Sequence, residues 1–146
     1  MKILSLFLLF FSTLTFAQTS DENLIKATIN GLFDGMKTSD SSKISNAFAK
    51  NANLQTITKT GEAKTENIKN FATSISKAEK GSLEERIIFA NILIDGNLAS
   101  VWTPYEFYYQ GKFSHCGVNS FQLIKINNEW KIQYIIDTRR KDNCVK

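Results

Sequence analysis

From Arg86 onward the chain is built almost wholly of four β-rich runs, Arg86–Ile94, Leu98–Tyr109, Phe113–Ile126 and Trp130–Arg139, separated by tight turns. Asp95-Gly96, Gln110-Gly111 and Asn127-Asn128 sit in those turns. Asp-Gly and Asn-Asn tolerate the positive φ that two-residue hairpin loops demand, so this half reads as an antiparallel meander.

The preceding half carries helical periods. Leu24, Ile25, Thr28, Ile29, Leu32, Phe33 and Met36 recur at spacings of three and four behind Asp21, a residue able to cap the helix. Thr38-Ser39-Asp40-Ser41 breaks that helix, and a second, ending near Asn51, carries Ile44, Ala47 and Phe48 on one side. Leu54–Thr58 is a short β run and Gly61 marks a turn. Thr65 then caps a third helix, with Glu66 in its first turn and Ile68, Phe71, Ala72 and Ile75 inward. The fold class is α+β: four long strands and one or two short ones in an antiparallel sheet against three N-terminal helices.

A two-residue turn fixes register. Placing Ile94 opposite Asn97, Tyr109 opposite Lys112 and Ile126 opposite Glu129 gives one face across the meander. That face holds Ile87, Phe89, Trp102, Glu106, His115, Asn119, Phe121, Trp130, Ile132, Tyr134, Thr138 and Arg140, and is expected to be concave; Asp137 is calculated to face outward. Pro104 lacks an N–H and favours an edge or bulge, where a slip of one would exchange Glu106 for Tyr105 or Phe107 but spare the His115–Arg140 pairing. Tyr105, Phe107, Val118, Ile124 and Ile135 fall on the opposite face, too apolar for bare solvent, which predicts a homodimer through it.

Glu106, His115 and Arg140 thus meet at one end of the inner face. A carboxylate beside an imidazole sets its tautomer and raises its pKa, as a general base needs, while Arg140 suits an anionic or carbonyl group. Asn119, Tyr134 and Thr138 add donors, and Trp102 with Tyr134 could stack on a flat ligand. The alternative is a polar network that merely closes the sheet's end. No phosphate loop, zinc spacing or dinucleotide fingerprint occurs, so no metal or cofactor is expected.

Met1–Ala17 has the form of a signal peptide: Lys2, an apolar run from Ile3 to Phe11, and small residues in Thr15-Phe16-Ala17. The run is too short to span a bilayer. The expectation is a single domain, residues 18–146, in the periplasm or secreted, with no membrane insertion after signal removal. Cys116 and Cys144 are there either a disulfide or free thiols. The formal net charge of +4 is spread over scattered lysines, unlike the stripe of a nucleic-acid binder.

Two stretches carry a wider likeness: Asp40 through Phe48-Ala49 to Asn51-Ala52-Asn53-Leu54, and Asp95-Gly96-Asn97-Leu98-Ala99. They resemble the nuclear transport factor 2-like superfamily. Tyr105-Glu106-Phe107-Tyr108, Ser114-His115-Cys116-Gly117, Phe121-Gln122-Leu123 and Asp137-Thr138-Arg139-Arg140 resemble its lumazine-binding branch. The resemblance implies a cone-shaped, strongly curved sheet wrapped by helices around a pocket. It points first to a small-molecule binder. A lyase or isomerase using His115 as acid/base, and a dimerisation module whose cone fills itself, stay open beside it.

Overall fold

The computed structural model describes residues 13–144, so the expected signal segment lies, up to Ser12, outside the described residues. In chain order the elements are α1 (Thr13–Thr38), α2 (Ser41–Ala47), β1 (Phe48–Ile57), β2 (Ala63–Glu66), α3 (Ile68–Ser76), β3 (Leu83–Ile87), β4 (Asn91–Asp95), β5 (Leu98–Tyr109), β6 (Lys112–Ile126) and β7 (Glu129–Asp137). All seven strands join one strongly curved sheet, ordered β2-β1-β7-β6-β5-β3, with β4 also on β5. Among the described residues no helix is long and apolar enough to cross a membrane.

The α1 stripe buries Ile25, Ile29, Leu32, Phe33 and Met36 against Ile44, Phe48, Phe121, Leu123, Trp130 and Ile132, leaving Leu24 exposed. Asp21 does not cap this helix, which already runs through it. Its carboxylate instead accepts from Lys125 Nζ (2.7 Å) and Trp130 Nε1 (3.1 Å), tying α1 to the β6–β7 hairpin.

Long-range pairing redraws three expected boundaries. Phe48 begins β1 rather than ending α2, because the chain there pairs with Ile132 of β7. The β1–β7 ladder is parallel, so the sheet is mixed. Thr65 pairs with Gln55 in a short hairpin, and Asn67 caps α3 in its place, accepting from the N–H of Asn70. The run Arg86–Ile94 is two strands, β3 on Tyr105–Tyr109 and β4 on Leu98–Trp102. Their junction lies opposite Pro104, whose missing N–H cannot continue the ladder.

The last two turns hold the calculated register, Tyr109 opposite Lys112 and Ile126 opposite Glu129. The first pairs Asp95 with Leu98. Two bulges then intervene. Ser114 is an extra residue on β6, after which Phe107, not Glu106, opposes His115. Gln133 is an extra residue on β7, after which Tyr134 opposes Gln122. One extra residue sends every later side chain to the other face. The concave face therefore carries Val101, Thr103, Tyr105, Phe107, Ile135 and Asp137. The face expected to hold a second copy is thus largely inside: Tyr105 and Ile135 are buried, and Phe107 packs on the core.

Gly117 lets the end of β7 approach. A β-carbon there would lie 1.8 Å from the Thr138 carbonyl oxygen and 2.8 Å from the Tyr105 ring. Beside it Cys116 and Arg140 exchange backbone hydrogen bonds of 2.8 Å, and the Cys116–Cys144 disulfide holds the following segment in place. Gly117→Ala is expected to destabilise the fold by about 3 kcal/mol, since a backbone carbonyl must move. Urea midpoints measure this, and an unchanged midpoint would contradict the close approach.

Candidate functional site

The concave sheet face, α1 and α3 enclose a cavity of about 300 Å³. Its apolar wall comes from Leu32, Phe33 and Met36 of α1, Phe48 and Leu54 of β1, Phe71 and Ile75 of α3, and Phe107, Phe121 and Ile135 of the sheet. Its polar lining is Glu85 on β3, Tyr105 on β5, His115 and Asn119 on β6, and Asp137 and Arg139 at the end of β7, together with Glu66 of β2 and Ser74 of α3. A self-filled cone would hold under about 100 Å³, whereas ligand sites begin at several hundred.

Asp137 organises this end. Its buried carboxylate accepts from the Thr56 hydroxyl, from Arg139 Nε at 2.8 Å and from the Tyr105 hydroxyl at 3.3 Å. Tyr105 also reaches the Thr138 carbonyl at 2.9 Å. Burial, reinforced by the charges of Asp137 and Glu85, raises the Tyr105 phenol far above its ordinary pKa, so it stays un-ionised.

Glu85 is served less well, with one donor, Asn119 Nδ2, at 2.7 Å. Burial pushes its carboxyl up to about 7; the Asn119 bond and Arg139 oppose the shift, and Asp137 adds to it. The His115 ring stands edge-on to Tyr105 at 5.8 Å and tilted over Phe107 at 5.0 Å, with Nδ1 3.1 Å from the Ser114 hydroxyl. Burial, then the positive charge of Arg139, lowers its pKa, so the ring is neutral at pH 7.

Of the residues expected at the site, His115 and Asn119 line the cavity, while Trp102, Glu106, Tyr134, Thr138 and Arg140 do not. Glu106 opposes Cys116 and accepts from the Tyr108 hydroxyl at 2.8 Å, so it is not the partner of His115. Trp102 is 48% exposed on the convex face. Tyr134 donates to Gln55 Oε1 at 2.6 Å, and Thr138 Oγ1 accepts from the Val118 N–H at 3.2 Å. Arg140 opposes Cys116 instead of His115, because the Gln133 bulge lies between it and the turn. The same bulges bring Tyr105, Phe107, Asp137 and Arg139 inward. Glu85 had a signal: it shares parity with Ile87 and Phe89, and β3 begins before Arg86, where the run was expected to start.

Glu85 gives the fold a pH dependence. In the folded state its carboxyl keeps a proton between the ordinary 4.5 and about 7, so this residue lowers stability progressively as pH rises through that window. Glu85→Gln removes the term. The stability of the variant relative to wild type should increase by about 2–3 kcal/mol from pH 5 to pH 8. Parallel denaturation curves at the two pH values would overturn this assignment.

Residues 20–134 match the family model described as "Putative lumazine-binding". No curated protein matches the chain. Solved structures similar to it include a nuclear transport factor 2-like protein of unknown function from Shewanella baltica, with TM-score 0.69, 18% identity, and 85% of this chain and 97% of that one covered. A second, from Silicibacter pomeroyi, has TM-score 0.69 and 13% identity, covering 84% and 98%. A third, with a cystatin-like fold, is from Novosphingobium aromaticivorans, with TM-score 0.69 and 9% identity over 86% of each chain. At these identities the likeness speaks for the fold, and the family match spans both the helices and the sheet. The chain belongs to the family so described, and its fold is that of nuclear transport factor 2-like proteins.

Proposed function

We propose that this is an exported small-molecule-binding protein whose ligand occupies the cone. The observation that carries the reading is a cavity of about 300 Å³ with an aromatic and aliphatic wall and one polar cluster. Such a site suits a flat ring with a polar edge. The family's description favours a small heterocycle. The lyase or isomerase reading loses the His115–Glu106 pair on which it stood, and the self-filled module loses its filled cone.

Native mass spectrometry of protein from its own cells should reveal a retained small molecule. Ser74 is exposed and lines the cavity, so Ser74→Trp should plug the opening, abolish that mass and leave melting unchanged. A wild-type chain with no bound mass, and no thermal stabilisation by extracts of its cells, would count against the reading.

Export to the periplasm or medium rests on Met1–Ala17, and the Cys116–Cys144 disulfide suits an oxidising compartment. The homodimer is proposed on the convex face instead, where Leu93 is 69% exposed and Leu98 and Trp102 each 48%. Exported protein should begin at Gln18 and scatter light as a dimer, with Trp102→Glu a monomer. An intact Met1 would refute export with cleavage, and a wild-type monomer at micromolar concentration would refute the dimer.

A further inference from the structure

Glu85 and Asn119 form a pair with unused hydrogen-bonding capacity. Asn119 Nδ2 donates to one oxygen of Glu85, and among the described residues neither Glu85 Oε2 nor Asn119 Oδ1 is hydrogen-bonded. Neither atom is sealed away: among the described residues the buried side-chain polar atom lacking a partner is Thr103 Oγ1. Both residues line the cavity, so these two oxygens open onto it.

The charges around the pair narrow what can bind. From other elements Asp137, Arg139, Tyr105 and His115 share the cavity lining with Glu85, as does Glu66 of β2. Arg139 is ion-paired to Asp137 at 2.8 Å and bonded to Thr56. His115 is neutral at pH 7 and Tyr105 un-ionised. Among the described lining residues the one Lys or Arg, Arg139, is already shared with Asp137, so an anionic ligand must compete for it. A neutral edge with one acceptor beside one donor finds both complements.

We propose, on the reading of the cavity as a ligand site, that Glu85 and Asn119 are its specificity pair and select a planar ring with a lactam edge. The ring carbonyl accepts from the Glu85 carboxyl, and the neighbouring ring N–H donates to Asn119 Oδ1. Capture then needs the Glu85 proton, so affinity declines as pH rises through the titration of this carboxyl near neutrality.

Four bicyclic probes of similar size test this by calorimetry on the mature protein: quinolin-2(1H)-one, its N-methyl derivative, naphthalene and 2-naphthoate. Quinolin-2(1H)-one, which stays neutral from pH 6 to 8.5, should bind about tenfold tighter than the N-methyl compound or naphthalene at pH 6. Its affinity should fall about tenfold or more by pH 8.5. Glu85→Gln, a permanent donor, should bind it with no pH dependence. Asn119→Leu should lose the lactam preference yet still take naphthalene, which shows the cavity intact. Equal binding of the three neutral probes, or a pH-independent wild type, overturns the pair while leaving the cavity a ligand site. Tightest binding of 2-naphthoate overturns it in favour of Arg139. Failure of all four overturns both this proposal and the reading beneath it.

Discussion

The carboxylate of Asp137 is the contact on which the polar end of the cone depends. It draws a hydroxyl from β1, a phenol from β5 and a guanidinium from its own chain end, so strands remote in sequence converge on one buried charge. A buried charge short of donors is expensive, and three donors offset much of that cost. The same contacts engage Arg139 and Thr56. Glu85, in the same wall, is left with Asn119 alone. Two acids of one polar lining, on strands separated by β5 and β6, thus have opposite characters, one structural and well supplied with donors, the other short of partners and open to the cavity.

The walls around them come from simpler physics. The α1 stripe and the inward residues of the meander meet in one core, and Asp21 locks the helix to the last hairpin through Trp130 and Lys125. Gly117 and the close passage of Thr138 draw the end of β7 across the sheet, which places Asp137 and Arg139 in the cavity lining. Polar groups are therefore held by backbone packing, while the apolar remainder sets shape and volume. A fold of this kind hosts many ligands, so selectivity must come from the few polar atoms left unpaired.

Much of the fold was legible in the sequence because its signals are local. The α1 period, the Gln110-Gly111 and Asn127-Asn128 turns and the long strands all follow from neighbours within a few residues. The candidate site was legible only at His115 and Asn119. Register propagates from each turn, so one unpaired residue inverts everything beyond it. Ser114 and Gln133 carry no Gly or Pro to announce such a step, and the adjacent Ile135 and Ile136 fit either face. Hence Asp137 read as outward and Tyr134, Thr138 and Arg140 as inward. The parallel pairing of β1 with β7 joins segments some eighty residues apart, and no local pattern encodes it. Asp21 looked like a cap because its tertiary partners lie beyond the reach of local rules.

Pro104 has a bearing on solubility. A long, flat outer strand would present an unbroken row of N–H and C=O groups, an invitation to cross-β growth with other molecules. Here the margin of the sheet is divided at Pro104 into two five-residue pieces out of step with each other, one of them carrying Glu84 and Arg86. The other margin, β2, is four residues long with Lys64 and Glu66 exposed. A foreign strand finds no length over which to zip, so the imino acid that interrupts the ladder also acts as a gatekeeper against fibril formation.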